Sequence, residues 1–161
     1  MILALARHIA AADRLVREGP VEHRDALTGF ELRRKILGVI GVGAIGSRVA
    51  QICHSGFEMQ AFAFDPYVEA SRLGPSVTRV LALQALLTQA DVVTVHVPLS
   101  TETTHMINAD TLRHMKRSAL LINTSRGTVV DGIALAKALA EGCLLGAALR
   151  LMEETMCPSG G

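Results

Sequence analysis

Aromatic side chains are almost missing from this chain of 161 residues, which has no tryptophan, one tyrosine and four phenylalanines. A flat ligand would therefore meet an apolar slot rather than a cage of stacked rings. Cysteine is also scarce. Cys53, Cys143 and Cys157 are odd in number and far apart, which suits neither a zinc site nor a disulfide framework and points to a reducing, cytoplasmic setting. An excess of charge of either sign is lacking too, because sixteen basic residues face fifteen acidic ones for a net charge of +1. The basic footprint that would mark a partner for nucleic acid or an anionic membrane is thus excluded. Long apolar runs are absent as well. Every such run is short and broken by glycine or charge, so no membrane-crossing helix is expected.

Hydrophobic residues nonetheless make up 50% of the chain, with a mean hydropathy of +0.35. A parallel sheet, whose strands are apolar on both faces, accounts for much of that excess, and a surface meant for a partner accounts for the rest. The length suits one well-cored domain. The opening MILALARHIAAADRLVREG places Leu5, Ile9, Ala12, Leu15 and Val16 at helical spacing, with Arg7, Asp13, Arg14 and Arg17 between them. This predicts a leading amphipathic helix over 1–18 rather than a targeting peptide. A charged connector over 19–34 follows.

Strands and helices then alternate: strand 35–40, helix 44–55 stopped by Gly56, strand 59–64, a short strand and helix within 78–90, and strand 91–97 closed by Pro98. A helix over 108–115 capped by Asn108, strand 118–124, helix 131–142 ended by Gly142 and strand 144–149 complete the order. Such alternation predicts an α/β fold of the Rossmann type, a doubly wound parallel sheet with helices on both faces, over residues 1–150. Residues 151–161, ending in CPSGG, read as a frayed tail.

VIGVGAIGSRVA carries Gly41, Gly43 and Gly46 in the spacing G-x-G-x-x-G, between an expected strand and an expected helix. In that context Gly41 permits a tight turn and Gly43 lets a pyrophosphate approach the backbone amides. Gly46 lets the helix pack closely, and Ala44 and Ile45 lie at the helix start among the cofactor-binding positions. The free N–H groups and the dipole there favour phosphate. Asp65, at the end of the next strand, is placed to accept the adenosine ribose hydroxyls and to repel a 2′-phosphate, which favours NAD over NADP.

Together GVIGVGAIGSRVA, FDPY, ADVVTVHVPLSTETTHMIN, LRHMKRSALLINTSRGTVVD and ALAEGCLLGAAL resemble the NAD-binding domain of the D-isomer-specific 2-hydroxyacid dehydrogenases, the family that includes D-3-phosphoglycerate dehydrogenases. The opening helix resembles the one with which that domain begins. The resemblance implies hydride transfer between nicotinamide and a 2-hydroxy or 2-keto acid. It implies that Arg126, in the stretch NTSRG, is the catalytic arginine that grips the substrate carboxylate, a pairing that suits a planar guanidinium at a strand end. It places Val97, Pro98 and Thr104 along the adenosine half of the cofactor, and Thr124 and Ser125 near the nicotinamide. His96 reads as a histidine packed at a strand end.

The pattern also breaks. His8, His23, His54, His96, His105 and His114 all precede Arg126, so the family's catalytic histidine has no counterpart. Arg150 stands where the resemblance places an aspartate that seats the nicotinamide, and Thr155 stands in register with the catalytic glutamate; Glu153 and Glu154 read as solvated residues. The family's substrate domain has no counterpart either. The chain is therefore expected to be a truncated cofactor domain, weakly active or inactive alone, or a non-catalytic NAD(H)-binding module. A homodimer through the leading helix is expected, with no metal.

Overall fold

In the computed structural model, residues 1–19 and 27–150 are described. Part of the expected connector and the whole of the expected tail, with Glu153, Glu154 and Thr155, lie outside the described residues. Among the described residues, six α-helices and six strands occur in the order α1 (Ile2–Ala6), α2 (Ile9–Glu18), β1 (Ile36–Ile40), α3 (Ala44–Phe57), β2 (Gln60–Phe64), β3 (Val77–Arg79), α4 (Leu83–Gln89), β4 (Val92–Val95), α5 (Ala109–Leu112), β5 (Leu120–Asn123), α6 (Gly132–Ala140) and β6 (Gly146–Leu149). The strands form one sheet of order β3-β2-β1-β4-β5-β6, and every pairing is parallel. The strand order reverses between β1 and β4, so the crevice beyond their carboxyl ends is where a ligand binds in such a fold.

The apolar runs are buried on both faces, as a covered parallel sheet requires. Ile40, Val93, Val95 and Leu121 point into a core with Leu86, Leu87, Leu112 and Leu135. Their neighbours Leu37, Val39, Val92, Leu120 and Ile122 point the other way, into a core with Ala6, Ala50 and Cys53. The period of two along each strand thus divides the side chains between two helical layers. Gly38 is a close approach: a Cβ there would meet Leu86 Cδ2 at 2.5 Å and Ala90 Cβ at 2.9 Å.

Two local expectations are corrected. The leading helix is not continuous, for His8 takes φ 50° and separates α1 from α2. The carbonyl of Ala6 is taken by the Phe30 N–H at 3.0 Å, instead of serving the next helical turn. Ala6 is fully buried, and α1 rests on β5 and β6, whereas α2 buries none of its residues. Nor does Gly56 stop α3, which runs to Phe57 before Glu58 adopts φ 52°. The turn falls there because Met59, 1% exposed, must enter the core, and its N–H reaches back to the Cys53 carbonyl. Asn108 caps α5 as expected, in a reciprocal capping box with Thr111.

Candidate functional site

The sheet registers bring five chain positions to one rim. Phe64 pairs with Ile40, Ile40 with Val95, Val95 with Asn123, and Asn123 with Leu149. The residues that follow them directly are Asp65, Gly41, His96, Thr124 and Arg150. They lie at the carboxyl ends of β2, β1, β4, β5 and β6 in that order.

At the centre of the rim, Gly41 has φ +87°, and a Cβ on it would meet Val97 Cγ1 at 2.8 Å and the His96 carbonyl oxygen at 2.9 Å. Both facts require glycine. A Cβ on Gly46 would overlap the Gly41 carbonyl oxygen and touch Val39 Cγ1 at 3.3 Å, so this glycine seats the helix on the turn itself as well as on the sheet. Gly43 differs from both, because nothing lies within 4 Å of its Cβ position. It faces an open cradle at the N-terminus of α3, and no side chain caps that terminus. The first backbone N–H groups of Ala44, Ile45 and Gly46 are thereby left for an anion, and the helix dipole acts in the same direction. This arrangement fits the pyrophosphate of a dinucleotide.

On the β2 side lies a crevice of about 540 Å³ lined by Gly43, Asp65, Tyr67, Val97, Pro98 and Thr103 among others. The Asp65 carboxylate accepts the Val42 N–H through Oδ2 and the Tyr67 N–H through Oδ1, each at 3.0 Å. It therefore braces the glycine turn while keeping lone pairs for ribose hydroxyls. The Tyr67 hydroxyl donates to Glu102 across the mouth. That hydrogen bond, then the charge of Glu102, burial and the charge of Asp65, hold the tyrosine above its ordinary ionisation range. The loop after Pro98 is organised by Thr103, whose Oγ1 donates to the Pro98 carbonyl at 2.7 Å and accepts the Ser100 N–H at 2.8 Å. Thr104 instead donates to the Ser100 carbonyl at 2.7 Å and does not line this crevice.

On the β5 side a second crevice of about 450 Å³ is lined by Ile45, Val49, Thr94, His96, Thr124 and Arg150, with Met1, Ile2 and Ile122. Ile45, 68% exposed at the start of α3, presents an apolar face to it. His96 belongs to both crevices. Its Nε2 lies 2.9 Å from Thr94 Oγ1 and its Nδ1 lies 3.2 Å from Thr124 Oγ1. Burial pushes its ionisation down, so the ring is neutral at pH 7 and pins the end of β5 to that of β4.

Beyond Thr124 the chain turns around Asn123, which is 2% exposed. Asn123 Oδ1 accepts the Ser125 N–H at 3.0 Å and the Ser125 hydroxyl at 2.7 Å, while its Nδ2 donates to the Arg126 carbonyl at 2.8 Å. This closed turn delivers Arg126 to the surface. The arginine is exposed, and its side chain makes one hydrogen bond among the described residues, from Nη1 to the Ser125 carbonyl at 3.4 Å. Its charge is therefore solvated at the strand end rather than buried there. Composition alone did not single out Asn123, since the signal that identifies it is burial. No group of three metal-ligating side chains occurs among the described residues.

Comparison with known proteins accords with this geometry. The family model described as "D-isomer specific 2-hydroxyacid dehydrogenase, NAD binding domain" matches residues 1–160. The chain is 40% identical to a glyoxylate reductase of Korarchaeum cryptofilum, covering 98% of this chain and 48% of that protein. It is also 40% identical to a D-3-phosphoglycerate dehydrogenase of Archaeoglobus fulgidus, over 96% of this chain and 29% of the other. Among solved structures, D-mandelate dehydrogenase of Rhodotorula graminis superposes with a TM-score of 0.90 at 30% identity, over 99% of this chain and 48% of that one. D-lactate dehydrogenase of Aquifex aeolicus, complexed with NAD and lactic acid, superposes with a TM-score of 0.83 at 36% identity, over 95% and 45% of the two chains. The chain spans half or less of the length of these relatives. Its glycine turn, distal aspartate and sheet order are thus those of a dinucleotide-binding domain, and the chain belongs to the D-isomer-specific 2-hydroxyacid dehydrogenase family as its NAD-binding domain.

Proposed function

We propose that this chain is the cofactor-binding module of an oxidoreductase acting on a small 2-hydroxy or 2-keto acid, and that alone it turns over weakly or not at all. The observation that carries this reading is the exposed Arg126 guanidinium, delivered by a turn that Asn123 closes at the carboxyl end of β5. A planar donor pair in that position suits bidentate recognition of a carboxylate. When bound, the nicotinamide supplies or accepts the hydride. This chain's own residues hold the cofactor at Gly41, Gly43, Ala44, Ile45, Gly46 and Asp65, and Arg126 orients the acid and polarises its oxygen. Proton transfer at that oxygen needs a group tuned near neutral pH. His96, held between Thr94 and Thr124, serves as a brace rather than as that group.

A second reading, a non-catalytic NAD(H)-binding module that dimerises, is favoured by α2. That helix buries none of its residues and exposes Ile9, Leu15 and Val16 beside the exposed Met1 and Leu3 of the first turn. A second copy would cover this stripe. No helix among the described residues is long and apolar enough to cross a membrane; a cytoplasmic setting is proposed on the few, scattered cysteines, and the lack of a nucleic-acid partner on the balanced charge.

Titration with NADH followed by nicotinamide fluorescence, then addition of 2-keto acids, tests the reading. Saturable NADH binding with slow or absent oxidation is expected, and Arg126→Ala should abolish any oxidation and any effect of the acid on NADH binding. Acid-dependent behaviour that survives Arg126→Ala would overturn the role of this residue. Light scattering at micromolar concentration tests the dimer; a monomer would contradict it.

A further inference from the structure

The rim order gives the bound cofactor a direction. Asp65 marks the adenosine end and the Gly41 turn marks the pyrophosphate, so the nicotinamide end falls toward Thr124 and Arg150. Arg150 is held at the rim of β6 by its own N–H, which donates to the Asn123 carbonyl at 2.9 Å. Among the described residues it is the one charged side chain that lines the β5-side crevice, whose other lining is mostly apolar: Met1, Ile2, Ile45, Val49 and Ile122. The imidazole of His96, which also lines this crevice, is held toward its neutral form by burial. The crevice thus carries a fixed positive charge. The oxidised nicotinamide ring is itself a cation, and the reduced ring is not.

We propose that Arg150 is a specificity-determining residue that biases this crevice toward the reduced cofactor, so that the module discriminates NADH from NAD+. The proposal rests on the cofactor-binding reading of the same site. Two like charges sharing a partly solvated crevice repel enough to change affinity roughly three- to tenfold, and salt screens the effect. A tenfold preference for the reduced form raises the potential of the bound two-electron couple by about 30 mV.

Dissociation constants for NADH, NAD+ and ADP-ribose, measured calorimetrically on this chain and on Arg150→Gln, Arg150→Lys and Arg150→Asp, test the proposal. ADP-ribose lacks the nicotinamide and reports on folding and on the other half of the site. The ratio of the NAD+ constant to the NADH constant is expected to fall roughly three- to tenfold in Arg150→Gln and further in Arg150→Asp. It should be preserved in Arg150→Lys, with ADP-ribose unchanged throughout, and the differences should shrink at high salt. A ratio unmoved in Arg150→Gln and Arg150→Asp, with ADP-ribose still bound, would overturn the inference. Failure of the unsubstituted chain to bind any of the three would overturn the cofactor reading beneath it.

Discussion

The carboxylate of Asp65 accepts the backbone N–H of Val42 at 3.0 Å, joining the end of one strand to the glycine turn that follows its neighbour. One side chain thereby braces the glycine turn from the neighbouring strand, and on the proposed reading it also meets the cofactor. Asp65→Asn, which keeps an acceptor but loses the charge, should weaken NADH binding roughly tenfold or more while leaving the thermal midpoint close to that of the parent. Asp65→Ala also orphans the Val42 and Tyr67 amides and should cost about 1–3 kcal/mol in urea denaturation.

Gly43 and Gly46 separate binding from folding. The open space at Gly43 means that Gly43→Val leaves the urea midpoint nearly unchanged and abolishes NADH fluorescence enhancement. The overlap at Gly46 with the Gly41 carbonyl means that Gly46→Ala destabilises the domain by about 1–3 kcal/mol or more. Reversal of this pattern would refute the assignment of the two glycines.

Asn123 closes the turn that presents Arg126. Asn123→Ala removes three hydrogen bonds and should lower stability by about 1–3 kcal/mol. It should also render the 124–128 segment the first site of limited proteolysis, compared with the parent by mass spectrometry.

Acid stability has a carboxylate component. Burial of Asp91 opposes its ionisation, but the Ile36 N–H at 2.8 Å, the Lys116 ammonium at 2.9 Å and the charge of Lys35 together hold it below the ordinary value of 3.8. The folded state therefore binds the proton less readily than the unfolded one. Its contribution is present above that value and is lost as pH falls through the lower folded pKa. Asp91→Asn should cost about 1 kcal/mol at neutral pH, discounted for the part-exposed Lys116. The gap between variant and parent should close in strongly acidic buffer.

His96 has a milder window. Its folded pKa lies below 6.5, so on acidification the unfolded chain takes up the proton first. Stability falls as pH drops from about 6.5 to the folded value and then levels off. His96→Gln should flatten that slope in urea midpoints taken between neutral and mildly acidic pH.

The alternation of apolar runs and glycine or proline stops was enough to read the layered fold and the run of strands, because a covered parallel sheet imposes its pattern locally. The glycine turn and Asp65 were legible for the same reason: φ +87° at Gly41 is a demand that a sequence states openly. The break at His8 and the stop at Glu58 were not legible. The first depends on the distant Phe30 N–H that takes the Ala6 carbonyl, the second on the core position that the fold gives Met59.

What the sequence by itself determined was the chemistry available at each strand end: an acid, a glycine, a histidine, a threonine and an arginine. What only the tertiary structure decided was their order along one rim and hence their neighbours. Register is a property of paired strands, and no single strand encodes which residue stands beside its own. Arg150 is merely the residue after an apolar run until β6 pairs with β5; the pairing then sets it on the rim with Thr124 and His96.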